Sequence, residues 1–190
     1  MISHKHKYIF IHIPKSGGSS VERSLLGLEG IPRPKRLHRM PKKHKQEYRI
    51  GGAKIDQHLP LELFEESYQT EYFCFTFVRN PWDMLVSEYL WIKKVSFEKS
   101  FYADVSFTQF VKLLAKGWAP APVWHQLPST DFINDNMDFI GRFENLQEDF
   151  NTICDKIGIP RQELPHDNKT KHKHYTEYYD DETRELVAEK

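Results

Sequence analysis

Tyr8-Ile9-Phe10-Ile11-His12-Ile13 is an apolar run of β-branched and aromatic residues without polar alternation. Such a run suits a strand covered on both faces, as in the interior of a parallel sheet. It meets Pro14 and then Lys15-Ser16-Gly17-Gly18-Ser19-Ser20, after which Val21, Leu25 and Leu28 recur at helical spacing. The order strand, glycine-rich turn, helix constrains the fold more than any other feature. Parallel strands need long, usually helical crossovers, and the turn marks the carboxyl end of a strand, where open α/β sheets bind ligands.

The rest of the chain repeats this grammar. Tyr72–Val78 is a second apolar run, and Asn80-Pro81 opens a helix with Asn80 as N-cap, Pro81 in the first turn and Asp83 near the positive end. Leu85, Tyr89 and Ile92 form its inner face. Phe107, Phe110, Val111 and Leu114 mark another helix that ends near Gly117, and Pro120 and Pro122 fall in the loop that follows. Asp138–Phe143 reads as a short strand. Asn145 then caps a helix carrying Leu146, Phe150, Ile153 and Ile157, stopped by Gly158 and Pro160. Residues 165–175 are polar and loop-like, and Thr176–Lys190 is helical in pattern. No repeat and no linker interrupts the 190 residues, the size of one ordinary domain. Strands separated by helices predict a single α/β domain with a mainly parallel sheet.

Composition narrows the function classes. Apolar residues make up 39% and include 13 Phe, so a core can form and disorder is not expected. The longest apolar runs are about six residues, far short of the ~20 that cross a bilayer. Met1–Lys5 runs straight into a strand and leaves no room for a signal peptide, which predicts a cytoplasmic protein without a membrane span. Cys74 and Cys154 cannot form a disulfide framework or a four-cysteine metal site. The neutral total conceals two halves: residues 1–58 hold 13 Lys/Arg against 4 Asp/Glu, and residues 59–190 hold 14 against 23. The densest basic stretch, 33–49, carries Lys35, Arg36, Arg39, Lys42, Lys43 and Lys45 among prolines. It is expected to be a solvated, mobile loop or a basic rim that attracts an anionic cofactor or substrate. Nucleic acid is not an expected partner, because no aromatic residues are interleaved for base stacking and no known motif is present.

The turn carries the chemistry. Gly17 and Gly18 permit backbone conformations closed to other residues, and the N–H groups of a helix start point at any anion placed there. Ser16, Ser19 and Ser20 add hydroxyl donors and Lys15 a full positive charge. Together they form a cradle for phosphate or sulfate. It is not a Walker A loop, because the lysine precedes the glycines. The competing structural reading is a Gly/Ser turn with an incidental lysine. Its position between strand and helix favours the cradle.

His12-Ile13-Pro14-Lys15-Ser16-Gly17-Gly18-Ser19-Ser20 resembles the 5′-phosphosulfate loop of sulfotransferases that use 3′-phosphoadenosine 5′-phosphosulfate (PAPS). The likeness is to the carbohydrate O-sulfotransferases, including the uronyl 2-O branch and its small bacterial relatives. Phe75-Thr76-Phe77-Val78-Arg79-Asn80-Pro81-Trp82-Asp83 resembles the family's second block. Ile140–Leu146 resembles a later strand-to-helix junction, and Leu164–Thr170 a cofactor-covering loop. The resemblance implies a P-loop-like three-layer fold with a central sheet flanked by helices. It also implies Arg79 and Ser87 on the cofactor's 3′-phosphate, and Lys15 through Ser20 on the phosphosulfate. Asn168, Lys169 and Thr170 then belong to the cover; where relatives often carry arginine this chain has Asn168, so Lys169 or Lys171 takes up that charge.

Sulfuryl transfer, by analogy with phosphoryl transfer, is positioning plus charge stabilisation, and Lys15 suits the charge growing on the leaving phosphate oxygen. No metal is expected: the pairs His4/His6 and His172/His174 are flanked by lysines. The acceptor hydroxyl needs a base of near-neutral pKa. His58 lies between the two cofactor blocks and resembles the family's catalytic base; His125, Glu62 and Glu65 are its rivals, while His12 is expected to turn into the strand layer. The expected product nucleotide is adenosine 3′,5′-bisphosphate (PAP), and the expected acceptor is a carbohydrate hydroxyl. A non-catalytic PAP-binding module and a small-molecule kinase with a divergent phosphate loop are the alternatives.

Overall fold

The two apolar runs become the adjacent central strands of a four-stranded sheet. A computed structural model describes residues 1–30, 58–95, 104–118, 125, 127–165 and 173–189. Strands β1 (Ile2–Ser3), β2 (Tyr8–Ile11), β3 (Phe73–Val78) and β4 (Phe139–Arg142) lie in that order. β2, β3 and β4 run parallel, and β1 is antiparallel to β2. All of β2 and Cys74–Phe77 of β3 are buried, which explains the missing alternation. This is the expected α/β architecture, a mostly parallel sheet flanked by helices.

The described residues form two compact units, Met1–Val78 with Leu127–Asp167 and Arg79–Gln126 with Asn168–Lys190. In the first, Tyr8, Phe10, Phe75 and Phe77 share one sheet face and pack with Val21 and Leu25 of helix α1 (Gly18–Leu28). Phe150 and Ile153 of helix α5 (Leu146–Lys156) complete that core. Phe10 stands opposite Phe75 in register, with ring centroids 5.2 Å apart. Such aromatic pairs contribute about 0.5–1.5 kcal/mol beyond their buried area. Ile9, Ile11, Cys74 and Thr76 are buried on the other face. Thr76 Oγ1 there donates to the Ile11 carbonyl at 2.7 Å.

In the second unit, helices α3 (Pro81–Val95), α4 (Phe107–Ala115) and α6 (Asp181–Ala188) enclose Val86, Tyr89, Ile92, Phe107, Phe110 and Val111. Asn80 caps α3 as expected, its Oδ1 accepting the N–H groups of Trp82 (3.1 Å) and Asp83 (3.3 Å). The inner face of α3 holds Tyr89 and Ile92 as expected, with Leu85 partly buried against the same cluster and Val86 fully buried beside them. Ser106 and Gln109 close a capping box on α4.

Several expectations change in detail. Asn145 makes no side-chain cap; a turn of 3-10 helix, Phe143–Asn145, precedes α5. The Asp149 carboxylate, in the first turn of α5, accepts the N–H of Arg142 at the end of β4 at 2.6 Å. The C-terminal helix starts at Asp181 rather than Thr176. Asp180 Oδ1 accepts the Thr183 N–H at 2.8 Å, a cap that ends the preceding turn. Strand β1, the turn Leu61–Leu63 and helix α2 (Glu66–Glu71) had no sequence signal. Among the described residues, no helix is long and apolar enough to cross a membrane. The basic stretch 33–49, Pro120, Pro122, Asn168, Lys169, Thr170 and Lys171 lie outside the described residues.

Candidate active site

The loop after β2 is shaped by backbone rather than by side chains. Lys15 adopts a left-handed conformation (φ +63°), which costs a non-glycine residue roughly 1–2 kcal/mol and is characteristic of functional loops. Gly17, at φ +80°, is the N-cap of α1. A side chain there would be strained and would meet Leu146 at 2.8 Å. A Cβ on Gly18 would overlap the ring of His12. The first turn of α1 contains no acidic residue, so its N–H groups face no carboxylate of their own turn. Ser16 is buried and its hydroxyl donates to the Pro14 carbonyl at 3.4 Å; Ser19 is half-buried and Ser20 buried.

His12 continues the inward row of Tyr8 and Phe10, stacked on Phe10 at 5.9 Å. Its Nδ1 lies 2.8 Å from Glu22 Oε1, and both side chains are buried. His58 is half-buried, with Nδ1 2.7 Å from the main-chain carbonyl of His12 and its ring edge-to-face with His12 at 4.6 Å. A carbonyl only accepts, so Nδ1 carries the proton and the neutral ring has its lone pair on Nε2. The rival carboxylates Glu62 and Glu65 are exposed.

In the second unit, Arg79 follows the last residue of β3. Its Nε and Nη2 both lie 2.8 Å from Asp83 Oδ2, and its side chain is 8% exposed. Ser87 is buried one turn beyond Asp83, so residues 79, 83 and 87 follow one line along the entry to α3. Tyr179 donates to the Trp82 carbonyl at 2.9 Å, and burial, then Asp83, pushes its hydroxyl pKa up. His125 Nδ1 lies 3.0 Å from Glu88 Oε1, and its ring stacks on Trp91 at 5.2 Å. Glu22, Asp83 and Glu88 were not assigned as partners from sequence. Asp83, four residues after Arg79, had a helical signal; the other two had none.

Both thiols are inert at neutral pH. Burial, then Asp138, pushes Cys74 up to about 12, and burial raises Cys154. The chemistry of the first unit rests instead on a cationic, amide-rich cradle with an imidazole tied to the residue that leads into it. The left-handed Lys15, the glycines and the acid-free helix start suit a bound anion.

The sulfotransferase family matches residues 1–190. The chain is 39% identical over 95 residues to an uncharacterised protein of Archaeoglobus fulgidus, covering 48% of this chain and 72% of that one. It is 25% identical over 185 residues to carbohydrate sulfotransferase 14 of Danio rerio, covering 85% of this chain and 48% of the relative. It is 24% identical to carbohydrate sulfotransferase 9 of Homo sapiens, covering 85% and 41%. The chain thus spans less than half the length of these two relatives. The crystal structure of mouse sulfotransferase SULT7A1 complexed with PAP shares the fold, with TM-score 0.58 at 17% identity, over 96% of this chain and 81% of that one. The glycine-rich cradle after β2 and the match along its whole length agree: the chain belongs to the sulfotransferase family.

Proposed function

We propose that this chain transfers a sulfuryl group from PAPS to a carbohydrate hydroxyl, with residues 1–190 acting as one sulfotransferase domain. PAPS supplies, when bound, an activated sulfuryl group and PAP as leaving group. Lys15 and the amides at the start of α1 hold the phosphosulfate and stabilise charge on the leaving oxygen. Arg79 and Ser87 hold the 3′-phosphate, and Asn168, Lys169 and Thr170 belong to the cover. His58 takes the acceptor proton on Nε2. Breaking of the sulfur–phosphate oxygen bond accompanies formation of the new sulfur–oxygen bond.

The observation that carries this reading is the 2.7 Å bond from His58 Nδ1 to the His12 carbonyl. It ties the imidazole to the residue that runs directly into the loop. The carbohydrate sulfotransferase relatives support the acceptor class. A second reading makes His125 the base, favoured by its bond to Glu88. The test is mass spectrometry of a panel of desulfated uronate polysaccharides, neutral sugars and phenols incubated with PAPS. A gain of one SO3 on a polysaccharide, lost in His58→Ala and kept in His125→Ala, is expected. Gain on phenols alone refutes the carbohydrate assignment, and the reverse pattern of variants moves the base to His125.

A further inference from the structure

The buried pair His12–Glu22 is unused by the mechanism above, although His12 touches both of its working parts. We propose that His12, oriented by Glu22, is a positioning residue that holds His58 in the tautomer and orientation a base requires. The inference rests on the reading of His58 as base.

His12 holds His58 twice. Its main-chain carbonyl accepts the His58 Nδ1–H at 2.7 Å, and its ring meets the His58 ring at 4.6 Å and 77°. Glu22 Oε1, 2.8 Å from His12 Nδ1, fixes the angle of the His12 ring, because a flipped ring would offer a carbon to the carboxylate. The other edge of that ring fills the space a side chain at residue 18 would occupy. The ring is therefore locked between Glu22, Phe10 and the helix start.

Stability alone is a poor reason for this pair. Glu22 is 2% exposed and His12 5%, and an apolar pair of similar volume generally serves a core as well as buried polar partners do. Orientation is what a buried, hydrogen-bonded imidazole adds. Free imidazole favours neither face nor angle, whereas His58 here must keep Nδ1–H turned to a carbonyl so that Nε2 accepts the proton.

The test uses the full chain labelled with ¹⁵N-histidine and saturated with PAP. Long-range imidazole spectra report tautomers, and His58→Ala identifies the His58 signals. His12→Asn keeps an N–H for Glu22 and removes the ring. Glu22→Met removes the acceptor of the His12 Nδ1–H with little change of volume and serves if His12→Asn does not fold. Wild type is expected to show His58 as the Nδ1–H tautomer, and either variant to shift it toward Nε2–H with PAP affinity within about threefold. Transfer to the best acceptor of the panel should fall about tenfold or more, yet His12→Asn should add less than about twofold in a His58→Ala background. A folded variant that keeps the Nδ1–H tautomer, or an equal loss in both backgrounds, overturns the positioning role. Full transfer by His58→Ala instead overturns the base assignment on which it rests.

Discussion

Replacing Gly18 by alanine sets two known effects against each other. Alanine in a helix gains about 0.5–1 kcal/mol over glycine, so on propensity alone Gly18→Ala stabilises α1. The new Cβ, however, overlaps Cδ2 and Nε2 of the His12 ring. That ring cannot swing away, because Nδ1 is held by Glu22 at 2.8 Å and its face lies on Phe10. Overpacking costs about 1–3 kcal/mol, and a Cβ set into a held ring falls in the upper part of that range, about 2–3 kcal/mol, so packing outweighs propensity by about 1–2.5 kcal/mol. At about 2–4 °C per kcal/mol for a chain of this size, the melting temperature falls by about 2–10 °C. Calorimetry of wild type, Gly18→Ala and His12→Ala/Gly18→Ala is the assay, with PAP binding measured in parallel. In the His12→Ala background the second change should cost nothing further, because the obstacle is gone. A Gly18→Ala melting temperature at or above wild type would refute the wedged ring.

Arg79→Ala should weaken PAP binding at least about tenfold by isothermal calorimetry, since a guanidinium–phosphate bond is charge-assisted; an unchanged affinity removes Arg79 from the 3′-phosphate. His125→Ala strips the Glu88 carboxylate of the donor at 3.0 Å and should lower stability by about 1–3 kcal/mol. With His58 as base its transfer rate stays within about threefold of wild type, and a larger loss would restore His125 as rival. The chain should also weaken in alkali. Folding holds the Cys74 thiol protonated up to about 12, against 9.0 when unfolded, and raises Tyr179 above 10.0. Stability is therefore full below about pH 9 and lost as pH rises toward 12. Urea midpoints should be lower at roughly pH 10 than at pH 7, and Cys74→Ala should flatten the difference; equal midpoints would contradict the thiol's burial.

What was legible in the sequence was what local chemistry decides. The Tyr8–Ile13 and Tyr72–Val78 runs show central strands because strands covered on both faces need no polar alternation. Asn80-Pro81 shows a helix start because cap and first turn are adjacent in sequence. The cradle was legible for the same reason, as six consecutive residues. Contacts that tertiary packing decides were not. Nothing in the spacing pairs His12 with Glu22 or His125 with Glu88, and nothing in Ile2-Ser3 marks an antiparallel edge strand. Asn145 holds the N-cap position of α5 without a side-chain bond, and the last helix starts late because Asp180 and Thr183 cap each other.

In the proposed reaction, Lys15 and His58 carry sulfuryl transfer from PAPS. Initial rates of radiolabelled sulfate transfer from saturating PAPS, for wild type, Lys15→Ala and His58→Ala, test it most directly. Turnover by wild type is expected, with a fall of about 10²-fold or more in each variant and PAP still bound by His58→Ala within about threefold. Wild type that binds PAP yet labels no acceptor, or variants that turn over at the wild-type rate, would contradict it.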